Sequence, residues 1–232
     1  MPYFPDLKLL LIHIPKTGGT TIEKTLQTNT KITLYEPNFI RYETYKEKSL
    51  ILDEDGKRIS LQHQTYLCLK RYAKQLSIPF DDPKLRIISI VRNPYSKIVS
   101  DLFWFKFITH STTPEQVFQI IKLFINSITI KNLDGIVKYL DNHNKPQYKF
   151  VTDKNDNLVK KIHIMKTETL TDDLKGLDIC VLQQKYQIGY QSQTKYMSYL
   201  NKDSIKLINE YYKKDFELFN YPLVRSMITN LL

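Results

Sequence analysis

The apolar run "LKLLLIHI" (7 to 14) has the pattern of a strand buried on both faces of a parallel sheet. A loop at 15 to 19 breaks it, and a helical pattern follows from about Thr20 to Gln27. A second continuous apolar run, "LRIISIV" (85 to 91), predicts a second buried strand that ends in "RNP". Pro94 suits the first turn of a helix, and over 94 to 108 the residues Ile98, Val99, Leu102, Phe103 and Phe105 make a broad apolar face. Between these two units, "SLILDEDGKRISL" (49 to 61) reads as a hairpin around Asp55 and Gly56, and 62 to 77 carries an imperfect helical period. Further on, 114 to 126 and 132 to 142 read as helices, 147 to 165 as a hairpin with a polar turn, and 203 to 219 as a closing helix. Alternating strands and helices in front, with hairpins behind, predict an α/β fold: a central, mainly parallel sheet flanked by helices, with β-hairpin additions.

Length and composition narrow this picture. A chain of 232 residues suits one substantial domain spanning 1 to 232. At 42% hydrophobic and 25% charged residues, with a mean hydropathy of −0.36, it has the composition of a soluble globular protein. The formal net charge of +10 favours anionic partners: nucleic acid, a polyanionic glycan, an anionic lipid surface or a phosphate-rich cofactor. Charge does not choose among these, and the lysines are spread along the chain as on any solvated basic surface. The two cysteines, Cys68 and Cys180, lie in apolar segments without metal-ligand spacing, which argues against a disulfide scaffold or a zinc site. No stretch approaches the about 18 consecutive apolar residues of a membrane span, and "MPYFPDLK" lacks the charged and apolar regions of a signal peptide. The expectation is a protein that is cytoplasmic or otherwise soluble, with no membrane partner.

The loop after the first strand concentrates the chemistry. In "HIPKTGGTT" (13 to 21), the first N–H groups of the following helix lack intrahelical partners and, with the positive end of the helix dipole, make an anion site. Gly18 and Gly19 let backbone approach an anion closely; Thr17, Thr20 and Thr21 add hydroxyls; Lys16 adds a compact positive charge. Every part suits a phosphate or a sulfate. The order differs from the nucleotide triphosphatase loop GxxxxGK[ST], because Lys16 precedes the glycines. At the second strand end, the guanidinium fork of Arg92 can grip a phosphate bidentately, and Ser100, two turns along the next helix, offers a further hydroxyl.

These two motifs carry a family resemblance. "HIPKTGGTT" resembles the 5′-phosphosulfate loop of sulfotransferases that use 3′-phosphoadenosine 5′-phosphosulfate (PAPS), particularly the carbohydrate O-sulfotransferase branch of heparan 2-O-like enzymes. "VRNPYSKIVSDLF" (91 to 103) is similar to that family's 3′-phosphate element, and "KTETLTDDL" (166 to 174) and "YYKKDFELFNY" (211 to 221) resemble weaker blocks. The resemblance implies a P-loop-like three-layer fold and a PAPS cofactor held by Lys16, Thr17, Gly18, Gly19, Thr20, Thr21, Arg92 and Ser100. It also implies metal-independent, in-line transfer of the sulfuryl group to a hydroxyl, on a carbohydrate or another acceptor. Lys16 would stabilise charge on the leaving phosphate oxygen.

The acceptor hydroxyl must lose a proton, and a histidine suits a general base. Of the five histidines, His63 stands where related enzymes carry one at the start of a helix before the "RNP" strand, and it is the candidate catalytic base. His13 reads as a loop-orienting or core residue, His163 as structural, and His110 as lining the acceptor cleft or simply exposed. Trp104 and its phenylalanine neighbours suit stacking or, at helical spacing, core. Adenine contacts stay unassigned, with Lys195 in "YQSQTKYMSYL" (190 to 200) as a candidate. Two rivals remain. A P-loop kinase or ATPase needs GK[ST] and an acidic residue for Mg²⁺, where this chain has Arg92. A non-catalytic polyanion or nucleic-acid binder needs clustered Lys/Arg, where this chain has scattered lysines.

Overall fold

The computed structural model describes residues 3–29, 62–74, 76–175 and 195–224. The hairpin expected at 49 to 61, Cys180 and residues 190 to 194 lie outside the described residues. The chain divides into two compact units. The first comprises Met1–Arg92, Asp141–His143 and Gln147–Ile188; the second comprises Asn93–Leu140, Asn144–Pro146 and Gly189–Leu232.

The first unit is built on the two apolar runs. Strand β1 (Tyr3–Phe4) pairs antiparallel with β2 (Leu9–Ile12), which pairs parallel with β3 (Arg86–Val91). On the far side of β3 lies β6 (Ile162–Lys166), also parallel, so the four-stranded order is β1-β2-β3-β6. Each of Leu9, Leu10, Leu11 and Ile12 is at most 1% exposed, as a central strand covered on both faces requires. Against one face pack Ile22 and Leu26 of α1 (Gly19–Asn29) and Leu170 and Leu174 of α6 (Leu170–Lys175), closing a core with Leu9, Leu11, Ile88, Ile90 and Met165. Burying one such side chain contributes about 1.5–3 kcal/mol, so this core fixes where the strand tips end. The short helix α2 (Tyr66–Arg71) is capped by Thr65, whose hydroxyl accepts from Cys68 N. Another short helix, α5 (Tyr148–Val151), completes the unit.

Two expectations change here. The stretch 147 to 165 is not one hairpin: its front forms α5 and its end is β6, a parallel strand of the main sheet, with only a Thr152–Leu158 bridge between them. Asp153 Oδ1 accepts from Asn155 N and Asn157 N, so the polar turn was readable while the strand's true partner, β3, was not. The expected helix over 62 to 77 is the shorter α2 followed by turns, with Ser77 at φ 53°.

The second unit holds α3 (Pro94–Trp104), α4 (Pro114–Asn126), the hairpin β4 (Thr129–Lys131) with β5 (Val137–Tyr139), and the closing helices α7 (Lys202–Tyr211) and α8 (Lys213–Phe219). Three of these helices, α3, α4 and α7, start where side chains cap them: Asn93 accepts from Tyr95 N, Thr113 and Gln116 form a capping box, and Asn201 accepts from Ser204 N. The helix expected over 132 to 142 is instead the turn and second strand of the hairpin. Asn132 Oδ1 accepts from Ile136 N, and Gly135 takes φ 77°, so the Asp134–Gly135 turn overrides the helical spacing. The closing helix of 203 to 219 is two helices meeting at Tyr212.

The architecture is mixed α/β, with a mainly parallel central sheet and helices.

Candidate functional site

Strand order brings the loop after β2, the end of β3 and the end of β6 side by side at the carboxyl edge of the sheet, where open α/β folds place ligands. Hydrogen bonds tie the three together. Arg92 Nη1 donates to Lys16 O at 3.0 Å, which joins the end of β3 to the loop. Thr167, one residue past β6, donates its hydroxyl to Thr17 O at 2.6 Å and lies 3.1 Å from Val91 O. The "KTETL" block therefore has a physical role: its threonine fastens the loop to the neighbouring strand tips.

Within the loop, Thr17 is fully buried and donates to Ile14 O, so its proton is committed to the loop's own shape. Lys16 and Gly18 both adopt left-handed φ values, 61° and 101°, and glycine takes its value without a Cβ to strain it. Gly19 is glycine for another reason. A Cβ there would lie 2.3 Å from Cδ2 of His13, so the imidazole lies directly against the start of α1. Lys16 and Gly18 are half-buried, Thr20 is exposed and Thr21 is half-buried.

Arg92 is positioned by its main chain as well as its side chain. Gln147, wholly buried, accepts from Arg92 N at 2.8 Å and donates Nε2 to Arg92 O at 2.7 Å. Sequence reading missed Gln147 because the pair is separated by 55 residues and no local pattern announces it. Ser100 is half-buried on α3, in the second unit, whereas the loop and Arg92 belong to the first.

Three histidines of the first unit stack edge to face. The ring centroids of His13 and His63 are 5.1 Å apart, and those of His63 and His143 are 4.9 Å apart. Two carboxyl groups flank the row: Glu23 Oε1 lies 2.9 Å from His13 Nδ1, and Asp141 Oδ2 lies 2.9 Å from His63 Nδ1. Burial is the main reason the His63 pKa falls to about 4; Asp141 pulls it up, while His13 and His143 push it down. His63 is therefore neutral near pH 7, the form able to accept a proton. Sequence reading singled out His63 and set His13 beside the loop, but it overlooked Glu23, Asp141 and His143. A His–Asp or His–Glu pair at such separations leaves no periodic trace.

The remaining candidates fall elsewhere. His110 lies in the second unit, its Nδ1 2.8 Å from Tyr199 Oη and its ring against Phe103. His163 is an exposed residue of β6, and Trp104, 64% exposed, is not a core residue. Lys195 is exposed. Among the described residues, no group of three or more His, Cys, Asp or Glu could hold a metal ion, and no helix is long and apolar enough to cross a membrane.

The first unit thus holds together a strand-tip loop opening a helix, an arginine hydrogen-bonded to that loop, and a buried histidine one imidazole from the helix start. The Sulfotransferase family model matches residues 2–222, so the chain belongs to the sulfotransferase family, enzymes that transfer a sulfuryl group to a hydroxyl-bearing acceptor. Searches of curated proteins and of solved structures gave no match.

Proposed function

We propose that this sulfotransferase uses PAPS as donor and delivers the sulfuryl group to a carbohydrate hydroxyl, as a heparan 2-O-like member of the family with a P-loop-like site. The observation that carries this reading is the contact chain Gly19–His13–His63. It sets a candidate base one imidazole ring from the helix start that would receive the 5′-phosphosulfate.

PAPS carries about four negative charges, and the residues present suit them. The first N–H groups of α1, the Thr20 and Thr21 hydroxyls and Lys16 would meet the 5′ end. Arg92 would meet the 3′-phosphate through its fork, helped by Ser100, whose role rests on the family resemblance alone. Lys16 would neutralise charge developing on the leaving phosphate oxygen. His63 would take the acceptor's proton at Nε2, because Nδ1 faces Asp141 and Nε2 has no hydrogen-bond partner among the described residues. The protein's task is alignment and charge placement, as in phosphoryl transfer.

The test is incubation with labelled PAPS and a panel of glycans and small alcohols, alongside calorimetry with the desulfated nucleotide. Lys16→Ala and Arg92→Ala should lose nucleotide binding. His63→Ala should bind nucleotide but transfer on the order of 10²–10⁴-fold more slowly. Absence of any PAPS binding by the folded wild-type chain would reject the donor, and normal turnover by His63→Ala would reject the base.

A further inference from the structure

We propose that Asp141 is the positioning residue of the transfer reaction, holding the proton of His63 on Nδ1 so that Nε2 is the atom that receives the acceptor's proton. The proposal rests on the reading of His63 as the base. It draws on a segment, Asp141–His143, in which no sequence motif stands out.

All three residues of that segment touch His63, each in a different way. The carboxylate of Asp141 lies 2.9 Å from Nδ1, Asn142 donates Nδ2 to His63 O at 2.8 Å, and the His143 ring packs edge-on against the imidazole at 4.9 Å. The backbone adopts a costly shape to do so. Asp141 and Asn142 have φ values of 44° and 63°, two consecutive left-handed residues, neither of them glycine. Such strain persists where the surroundings impose it and clusters at functional sites. The segment belongs to the first unit although the chain on either side of it, Asn93–Leu140 and Asn144–Pro146, belongs to the second. A loop needed only to connect β5 to α5 would not send three residues to one histidine.

The chemistry needs such a group. During transfer the acceptor oxygen bonds to sulfur, the bond from sulfur to the bridging 5′-phosphate oxygen breaks, and that oxygen departs with the electron pair. The acceptor's proton goes to Nε2, so His63 becomes an imidazolium carrying protons on both nitrogens, and later returns one to solvent. Among the described residues, the titratable groups facing it are His13, His143 and Asp141, with Glu23 standing behind His13. Two are imidazoles, which bring no negative charge to offset a cation, and Asp141 is the carboxylate in contact with Nδ1. It therefore serves twice, first setting the tautomer and then offsetting the positive charge.

The experiment compares Asp141→Asn, Asp141→Glu and His63→Ala with the wild type, reading kcat, KM and desulfated-nucleotide affinity across pH. Nitrogen-15 NMR of the wild-type histidines, which does not depend on turnover, runs beside it. The expected result is a kcat for Asp141→Asn lower by at least about 100-fold, with nucleotide affinity and acceptor KM unchanged. Its acidic limb should move to lower pH, because the group that raises the His63 pKa is gone, and Asp141→Glu should recover part of the rate. Neutral His63 should carry its proton on Nδ1 in the wild type, which supports the proposal even if Asp141→Asn fails to fold. A proton on Nε2, or an Asp141→Asn enzyme with wild-type kcat and pH profile while His63→Ala is inactive, overturns this proposal and leaves the base reading standing. Normal turnover by His63→Ala removes both.

Discussion

The two units bury charge in opposite ways. In the second, Lys97 and Asp101 sit one helical turn apart on α3, nearly inaccessible, and pair at 2.8 Å. In the first, buried titratable groups converge from distant stretches of chain: His13 on the loop after β2, Glu23 on α1, His63 before α2, and Asp141 with His143 from a segment 78 residues beyond His63. A pair closed within one turn is formed as soon as its helix forms, so it reports on the stability of that helix. A cluster gathered from four segments exists only once the whole sheet has assembled, and each member costs desolvation that a plain core would not. That difference separates a pair local to one helix from a cluster that depends on the fold of the first unit as a whole.

The contrast can be broken most severely at Gly19. In Gly19→Ala the new methyl overlaps the His13 ring, and a shift of that ring disturbs His63, its neighbour in the row. Turnover should fall on the order of 100-fold, as expected for a displacement of about 1 Å in a reacting assembly. In the second unit, Gly135→Ala meets open space beyond Lys131 and strains only its own φ of 77°, so it should cost about 1 kcal/mol of stability and leave turnover intact. Equal losses from both would refute the division of roles.

A smaller effect is expected from the core beneath the site. Leu11→Ala, in the central strand, should lower the unfolding free energy by about 2–5 kcal/mol in denaturant titration. Leu123→Ala, at a position 56% exposed on α4, should change it by less than about 0.5 kcal/mol.

The pH dependence sharpens the comparison further. His63 has a folded pKa of about 4 against an ordinary 6.5, so between those values the unfolded chain binds a proton that the folded chain does not. Stability should rise with pH across that window, by roughly 3 kcal/mol at most, and flatten above it. Thermal unfolding from pH 4 to 7 checks this, with His63→Gln as the control whose slope should be shallower; an identical slope would show that His63 is not the source.

The parts legible in the sequence were those written in local patterns. The apolar runs of β2 and β3, the Gly18–Gly19 loop and Pro94 each declare a boundary within a few residues, and the structure has a strand, a turn or a helix start at each. The middle of the chain was harder because competing local signals had similar weight. At 132 to 142 an apolar spacing near the helical period concealed an Asn132–Ile136 turn, and at 147 to 165 the alternation of β6 was read as a partner for its nearest neighbour instead of for β3. Around the site, the loop and Arg92 stood out as candidates and Thr167 lay in a block noted for resemblance, but Gln147 and Asp141 did not stand out, because a hydrogen bond across 55 to 78 residues leaves no periodic mark on either partner.

The amide of Gln147 has one further consequence. By receiving from the N–H of Arg92 and giving to its C=O, it behaves as a borrowed piece of backbone, standing in for a strand that the sheet does not possess at that level. β2 has already stopped at Ile12, opposite Ser89, three positions short of Arg92. The sheet thus ends in a staircase instead of a flush edge, and a single side chain keeps its highest step from fraying.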